Sequence, residues 1–453
     1  MTNGRRPAGS GRRRSGWRWL RPGVGIKRWL AVVLVGELML ALALAIVIRQ
    51  VYRDMPAGSP VTELLDALTL QGLPLEARFL ILVGVGLAVF LFGVWRLFRV
   101  LLEPFSVGRE PLAELLYQKR WRMRGPRVVT IGGGTGMSTL LRGLKELTSN
   151  ITAVVTVADD GGSSGKLRKE LGVPPMGDIR NCIAALADAE PAMTQLLHYR
   201  FSQNGRDAHL AAAGGLEGHA FGNLLIAALT EIEGDFEEAV RQSNRVLAVR
   251  GSVVPAAPVP VTLHAELADG TMIDGQSAVA RAQGIARVWI TPSEAQACRE
   301  AIAAIEAAEL IVLGPGSLFT SLLPSLLVPG IRQAIAGSPA PCVYVCNVAT
   351  QVGETEGFAL SDHLAALRRH GLDALLDGIV VNDNFNARAP AGYPAAPVRI
   401  DMPERGQRPP IFARDIVDDG NAHHHDPAKL AGVLVALLDQ RALRKHQPAS
   451  VTS

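Results

Sequence analysis

Two stretches of this 453-residue chain set bare backbone beside polar side chains in a way that suits anion chemistry. Val128 to Gly165 reads VVTIGGGTGMSTLLRGLKELTSNITAVVTVADDGGSSG: Gly132, Gly133, Gly134, Thr135 and Gly136 follow one apolar run, and Asp159-Asp160 close the next. The first four N–H groups of a helix lack partners and its dipole is positive there, so glycines at a helix start make a cradle for phosphate. An acid roughly 20 residues or more beyond such a turn stands where dinucleotide folds place their ribose-binding carboxylate. The second stretch, Gly314-Pro315-Gly316-Ser317 with Thr320 and Ser321, repeats the pattern as a second anion nest. A diphosphate, or a phosphate with a carboxylate, fits between two such turns. Tight strand-to-helix turns that serve packing alone are the competing reading.

The standard nucleotide signatures do not fit. A G-x-G-x-x-G from Gly132 meets Met137, and one from Gly134 meets Thr139, where glycine is required. The nearest Walker-like string, Asp160 to Leu167, begins on an acid and ends on Leu167 instead of the hydroxyl that would hold Mg²⁺. Neither a usual NAD site nor a P-loop is supported.

The remaining polar candidates sit after apolar runs. Gly161, Ser163 and Ser164 offer a flexible turn with acceptors. Asp178, Arg180 and Asn181 lie in MGDIRN, and His219 and Asn223 in GHAFGN. Asp178 and Asn223 can equally be helix caps. The loop from Asn347 to Thr355, with Gln351 and Glu354, is polar, and a plain solvated loop explains it too. His423, His424 and His425 invite a metal reading, but adjacent histidines cannot converge on one ion, so no metal site is expected. Cys182, Cys298, Cys342 and Cys346 lack zinc-ligand spacing and read as buried thiols in a reducing cytosol.

These groups need a scaffold, and the periodicity supplies one. Arg127 to Ile131 is strand-like, and Met137, Leu140, Leu141, Leu144 and Leu147 then recur at helical spacing. Ile151 to Val157, Leu310 to Leu313, Cys342 to Val348 and Gly378 to Val381 are further strands, with a hairpin signal at Asp269-Gly270. Asp426-Pro427 opens a last helix as cap and first position. The alternation is that of an α/β, doubly wound, mostly parallel sheet, whose ligands bind at the carboxyl ends of the strands.

Composition adds a membrane. Hydrophobic residues make up 48% and mean hydropathy is +0.20, with the excess near the N-terminus. Residues 29–49 and 79–102 are each long enough to cross a hydrocarbon core, which takes about 20 residues. Nine basic residues precede the first run and the loop between the runs is acidic or neutral, so positive-inside bias puts both termini and the main domain in the cytoplasm of a two-span cell-membrane protein. The expected divisions are a basic tail at 1–28, the two spans and their outside loop at 29–102, a juxtamembrane linker at 103–126, a ligand-binding domain at 127–440 and a disordered tail at 441–453. Anionic lipid, and not nucleic acid, is the expected partner of the basic tail.

The strings IGGGTGMSTLLRGLK, ADDGGSSGKLR, PMGDIRNC, GHAFGNLL, GPGSLFTSLLPSLL, ATQVGETEGF and IVVND, in this order, resemble the YvcK-like branch of the YvcK/CofD family, also named the gluconeogenesis factor family. The resemblance runs from about Arg127 to about Gln440 and says nothing of the N-terminal segments. It implies a Rossmann-like domain and a protein that binds a UDP-sugar, foremost UDP-N-acetylglucosamine. Such a protein regulates peptidoglycan precursor supply and cell shape through an enzyme of precursor synthesis, with no required cofactor, and a homo-oligomer is possible. It further implies that Gly132 to Thr135 and Asp159-Asp160 hold the nucleotide side, with Gly314 to Ser317 near the phosphates. Phe358 stands where many members carry Tyr after GETxG, which keeps a ring surface and removes the hydroxyl. The CofD branch instead transfers a phospholactyl group to a deazaflavin; on that alternative Asp159 or Asp160 is catalytic through Mg²⁺ at a diphosphate. An NAD-dependent oxidoreductase is a third reading, weakened by the imperfect fingerprint.

Overall fold

The computed structural model describes residues 73–102 and 122–439, apart from 189, 202–215, 389–391, 393–394 and 403–407, and before 73 the runs 37–39 and 44–50 with a few single positions. The chain divides into two compact units, Met1–Arg120 and Trp121–Ser453. Within the first, α1 (Leu75–Leu102) runs 28 residues and starts earlier than the expected 79. Its stretch Leu75–Gly93 has mean hydropathy 2.2, and among the described residues it is the one unbroken helix long and apolar enough to cross a membrane by length and composition. The basic tail, ten of the 21 residues of the first expected span, residues 103–121 of the linker and the 441–453 tail lie outside the described residues.

Seven parallel strands form the body of the second unit. They are β1 (Val128–Gly132), β2 (Ile151–Val155), β3 (Ser252–Pro255), β7 (Leu310–Leu313), β8 (Cys342–Val345), β9 (Gly378–Asn382) and β10 (Ile411–Arg414). Their order across the sheet is β10-β9-β8-β7-β1-β2-β3. Every residue of β1, β7, β8 and β9 is buried, as expected of strands covered by helices on both faces. A three-stranded antiparallel sheet of β4 (Thr262–Leu267), β5 (Met272–Asp274) and β6 (Ile285–Thr291) contains the hairpin expected at Asp269-Gly270. Strand β12 (Asn421–His425) pairs with β11 (Val417–Asp418), so the three histidines lie in a hairpin and His425 is buried.

The flanking helices are α2 (Gly134–Leu147), α3 (Gly162–Leu171), α4 (Gly177–Leu186), α5 (Glu190–His198), α6 (Phe221–Glu233), α7 (Phe236–Val246), α8 (Arg299–Glu306), α9 (Pro329–Gly337), α10 (Leu360–Arg369) and α11 (Pro427–Asp439). Met137, Leu140, Leu141 and Leu144 are fully buried, which accounts for the helical spacing of α2. Asp426 accepts the Lys429 amide at 2.8 Å and starts α11. That helix lies so close to α2 that a Cβ on Gly143 would stand 1.9 Å from the Pro427 carbonyl oxygen.

The unit begins earlier than the expected Arg127. Arg122 pairs with Glu146 at 2.6 Å, and Asn150 Nδ2 donates to the Gly125 carbonyl at 2.7 Å, so the end of the presumed linker is already part of this unit. The expected strands through Val157 and Val348 are shorter than their apolar runs, and β2 and β8 end at Val155 and Val345.

Strand order fixes where the ligand crevice must be. From β1 the chain moves outward to β2 and β3, then returns to place β7 on the other side of β1 and continues to β10. The switch point therefore lies between β1 and β7, the strands that carry the two glycine turns.

Candidate functional site

The two turns are packed against each other, backbone to backbone. A Cβ on Gly136 would lie 2.8 Å from the Pro315 carbonyl oxygen, and one on Gly316 2.9 Å from that of Gly133. Gly134 at φ +70 and Gly314 at φ +78 hold left-handed backbone that a branched residue resists. Gly132 lies against Gly314. The floor of the crevice is thus main chain.

Above the first turn, Asp178 reaches back from α4 so closely that a Cβ on Gly133 would fall 2.4 Å from its Oδ2. Burial lifts the Asp178 carboxyl to about 7, neighbouring Asp159 adds to the rise, and the Gly134 amide and Arg180 oppose it. Asp159 and Asp160 do not act as the pair their adjacency suggests. Asp159 accepts the Gly161 amide at 2.9 Å and faces Gly177, whereas Asp160 accepts the Ser277 amide at 2.8 Å and faces Gly275. Consecutive residues of an extended chain point to opposite sides, so the carboxyl that Asp159 joins belongs to Asp178. Among the described residues no three His, Cys, Asp or Glu converge as metal ligands.

The polar motifs ADDGGSSG, MGDIRN and GHAFGN meet in one buried network. Asn223 Nδ2 donates to Ser163 Oγ at 3.1 Å and to Ser164 Oγ at 3.3 Å, and the Ser163 hydroxyl lies 3.3 Å from His219 Nδ1. Arg180 donates to Asn223 and to Asn181, both at 3.0 Å, and Asn181 Oδ1 lies 2.8 Å from His198 Nε2. Gly222 makes room for the Arg180 stem, which a Cβ would meet at 2.8 Å. Asn223 is therefore more than a cap.

That network walls a cavity of about 250 Å³ lined by Thr135, Ser138, Arg142, Arg180, Asn181, His198 and Arg200. Thr135, Ser138 and Arg142 come from one face of α2, directly after the first glycine turn. Three guanidinium groups meet here with no carboxylate in the lining. Burial, then Arg200, lowers Arg180 to about 10. Burial, then Arg180, Arg142 and Arg200, lowers His198. The Arg180 Nε–H is buried without a partner among the described residues. Such a cavity recovers electrostatic energy when an anion enters it. Of the lining, only Thr135 and Asn181 were sequence candidates, with Arg180 noted in its motif. Arg142 and His198 lie in unremarkable helical segments and Arg200 just beyond one, where single basic residues carry no signal.

The second turn is occupied by the protein itself. Glu354, 3% exposed, accepts the Phe319 amide at 2.6 Å, the Thr320 amide at 3.1 Å and the Thr320 hydroxyl at 3.1 Å. Asn347 exchanges two hydrogen bonds with the Gly316 backbone, and Gln351 donates to Ser317 Oγ at 2.7 Å. Burial raises the Glu354 carboxyl to about 7 against these donors. Thr320 and the helix start at 318 thus already hold an internal carboxyl, and the polar 347–355 loop, for which the sequence also allows a plain solvated loop, clamps the turn. Phe358 packs edge-on against Phe319 and His363, at centroid distances of 6.2 and 5.6 Å. A larger depression of about 550 Å³, lined by Arg241, Arg245, Ser252 and neighbours, includes none of these residues.

Main-chain turns at the switch point of a parallel sheet, with converging polar motifs beside them, define a protein of the Rossmann-like α/β class. Comparison with known proteins narrows this. A family profile described as 2-phospho-L-lactate transferase CofD matches residues 128–412. A putative gluconeogenesis factor of Nostoc sp. is 43% identical over 435 residues, covering 92% of this chain and 92% of that relative. The gluconeogenesis factor of Bacillus subtilis is 45% identical over 322 residues, covering 70% of this chain and 99% of that relative. A crystal structure of a upf0052 family member from Bacillus halodurans has TM-score 0.61 and 43% identity, covering 69% of this chain and 99% of its own. The chain belongs to the YvcK/CofD family. The Nostoc match leaves too little of the chain out to miss α1.

Proposed function

We propose that the protein binds a UDP-sugar, most simply UDP-N-acetylglucosamine, at the switch point and regulates peptidoglycan precursor supply through contact with an enzyme of that route, without catalysis of its own. The observation that carries this reading is the basic cavity beside the first glycine turn. Arg142, Arg180 and Arg200 neutralise a diphosphate, Thr135 donates to its oxygens, and the sugar and base extend along the crevice towards the second turn. The gluconeogenesis factor names of the relatives agree with a regulatory role. Isothermal titration against UDP-sugars, NAD and phospholactyl donors tests it. UDP-N-acetylglucosamine should bind, and Arg142→Ala and Arg200→Ala should each weaken it by about tenfold or more, the loss of roughly 1.4 kcal/mol. Absence of binding by the wild type would sink the reading.

The transferase alternative keeps one specific support, the neighbouring carboxyls Asp159 and Asp178. Mg²⁺ is commonly held by one or two carboxylates plus substrate phosphates, and these two residues fit that donor set better than Asp159 with Asp160. The ion would supply charge neutralisation at a leaving diphosphate. Mg²⁺-dependent turnover of a phospholactyl donor by the wild type would establish this alternative in place of the first.

Helix α1 and the apolar 29–49 segment are read as a two-span anchor that leaves the sheet unit in the cytoplasm. Single cysteines at Ser59 and Ser453 should be, respectively, labelled and protected with an impermeant thiol reagent in intact cells; the reverse pattern overturns the topology.

A further inference from the structure

Of the residues lining the basic cavity, His198 alone can change its charge near neutral pH. Its tautomer follows from its neighbours. A guanidinium can only donate, so the Asn181 atom 3.0 Å from Arg180 is the carbonyl oxygen. The same oxygen lies 2.8 Å from His198 Nε2, which must therefore carry its proton. A second proton can go only to Nδ1, which has no partner among the described residues and is not one of the atoms sealed from solvent. Much of the surroundings already favours the imidazolium. Asn181 accepts from it, and it ends α5, where the helix dipole is negative. What opposes the charge is burial, followed by three guanidinium groups: Arg180 from α4, Arg142 from α2 and Arg200 just beyond α5. No carboxylate in the lining answers them. Asp178 on α4 acts on Arg180 and lies against the first glycine turn, and Glu190 stands at the opposite end of α5. Helix α6 carries its acids, Glu231 and Glu233, at its far end, and Glu217 ahead of it is exposed.

We propose, on the reading that the cavity seats the ligand's diphosphate, that His198 takes up a proton as the anion enters and becomes the fourth cation of the site, so that binding tightens as pH falls. An anion neutralises the very charges that keep the imidazole neutral, and the burial that remains then acts on a paired imidazolium instead of an isolated one. In the free protein His198 titrates below its usual 6.5. With the anion in place it titrates higher. Proton linkage then makes affinity fall as pH rises between the two values, by at most about tenfold per unit, with plateaus on either side. The cavity therefore carries three permanent charges and one that the ligand itself calls up.

The experiment is calorimetric titration of the 121–453 unit, whose counterpart is a complete solved chain, in two buffers of different ionisation heat. UDP-N-acetylglucosamine and sulfate serve as probes, because neither titrates near neutral pH. The difference between buffers should report uptake of about half a proton or more per ligand at pH 6.5, falling towards zero by about pH 9. Asp178, with its carboxyl raised to about 7 beside the first turn, is the other group placed to take a proton. Asp178→Asn should keep the uptake and His198→Gln should abolish it, since glutamine still donates to Asn181 and cannot be charged. His198→Gln should match wild-type affinity within about twofold at pH 8.5 and fall about fivefold behind it at pH 5.5. The wild type gives the same answer without a variant: one histidine Cε1–H resonance that titrates below 6.5 should titrate about one unit higher in saturating sulfate. Binding with no proton uptake, uptake that survives His198→Gln, or uptake that Asp178→Asn removes overturns the proposal and leaves the cavity as the ligand site. No binding of either probe at any pH overturns both.

Discussion

The two glycine turns are near copies in sequence and opposites in use. Both follow a fully buried strand, both start a helix, and both carry glycine at positive φ. The first opens sideways onto three arginines and a histidine. The second is closed by Glu354, whose carboxylate takes the very amides a phosphate would take. A glycine-rich turn therefore reports that something approaches the backbone closely, and leaves open whether the visitor is a ligand or the protein's own side chain. Here the arginines distinguish the two: Glu354 takes the amides of the second turn, whereas the first has the Asp178 carboxyl against Gly133 on one side and three guanidinium groups on its open side.

Breaking the shared floor should have the largest effect. Gly136→Val drives a branched side chain into the Pro315 carbonyl and Gly316, both main chain, and should cost about 3 kcal/mol in urea unfolding. A loss below about 0.5 kcal/mol would mean that the turns are not interlocked. Next comes the plug. Glu354→Ala strands the Phe319 and Thr320 amides in a buried place and should cost about 2 kcal/mol while leaving ligand affinity at the first turn unchanged. Loss of binding without loss of stability would instead make the second turn part of the ligand site.

Smaller and more discriminating is the dependence on pH. The carboxyls of Asp178 and Glu354 are each raised to about 7 in the folded protein from 3.8 and 4.5. The folded state then holds more protons than the unfolded state between these values, so their contribution is complete below about pH 4 and is lost as pH rises to about 7. Asp178→Asn should accordingly flatten part of that decline, leaving the variant more stable than wild type at pH 8 by about 1 kcal/mol and no more stable at pH 4. Asp160→Asn is the smallest change and the control. Its remaining oxygen still accepts the Ser277 amide, so stability should move by about 0.5 kcal/mol or less and affinity not at all. A large effect at Asp160 with none at Asp178 would restore the adjacent-acid pair suggested by the sequence.

What could be read in advance follows the range of the interactions. The β1 turn and α2, the strand before Gly314, the hairpin at Asp269-Gly270 and the Asp426 cap are local patterns, and their residues carry the signal within one or two turns of chain. Strands β3 and β10 are only four residues long and become strands by pairing with β2 and β9. The cavity was half legible. Thr135 and Asn181 sit in glycine-flanked motifs, whereas Arg142, His198 and Arg200 acquire meaning only when α2, α4 and α5 are brought together. The diversion of Asp160 to Ser277 and the capture of Thr320 by Glu354 are contacts over 117 and 34 residues, beyond any spacing rule.

The interlocked floor also bears on how such a site can change over generations. The contacts of Gly136 with Pro315, and of Gly316 with the Gly133 carbonyl, belong to atoms that every amino acid shares, and a methyl added at Gly136 or Gly316 meets backbone that cannot step aside. Mutation has almost nothing there to vary. The walls are different: Arg142, His198, Arg200 and the facing loops can be exchanged one at a time without moving a strand. A fold built this way can alter what it recognises, or give up chemistry for recognition, while the turns beneath stay as they are.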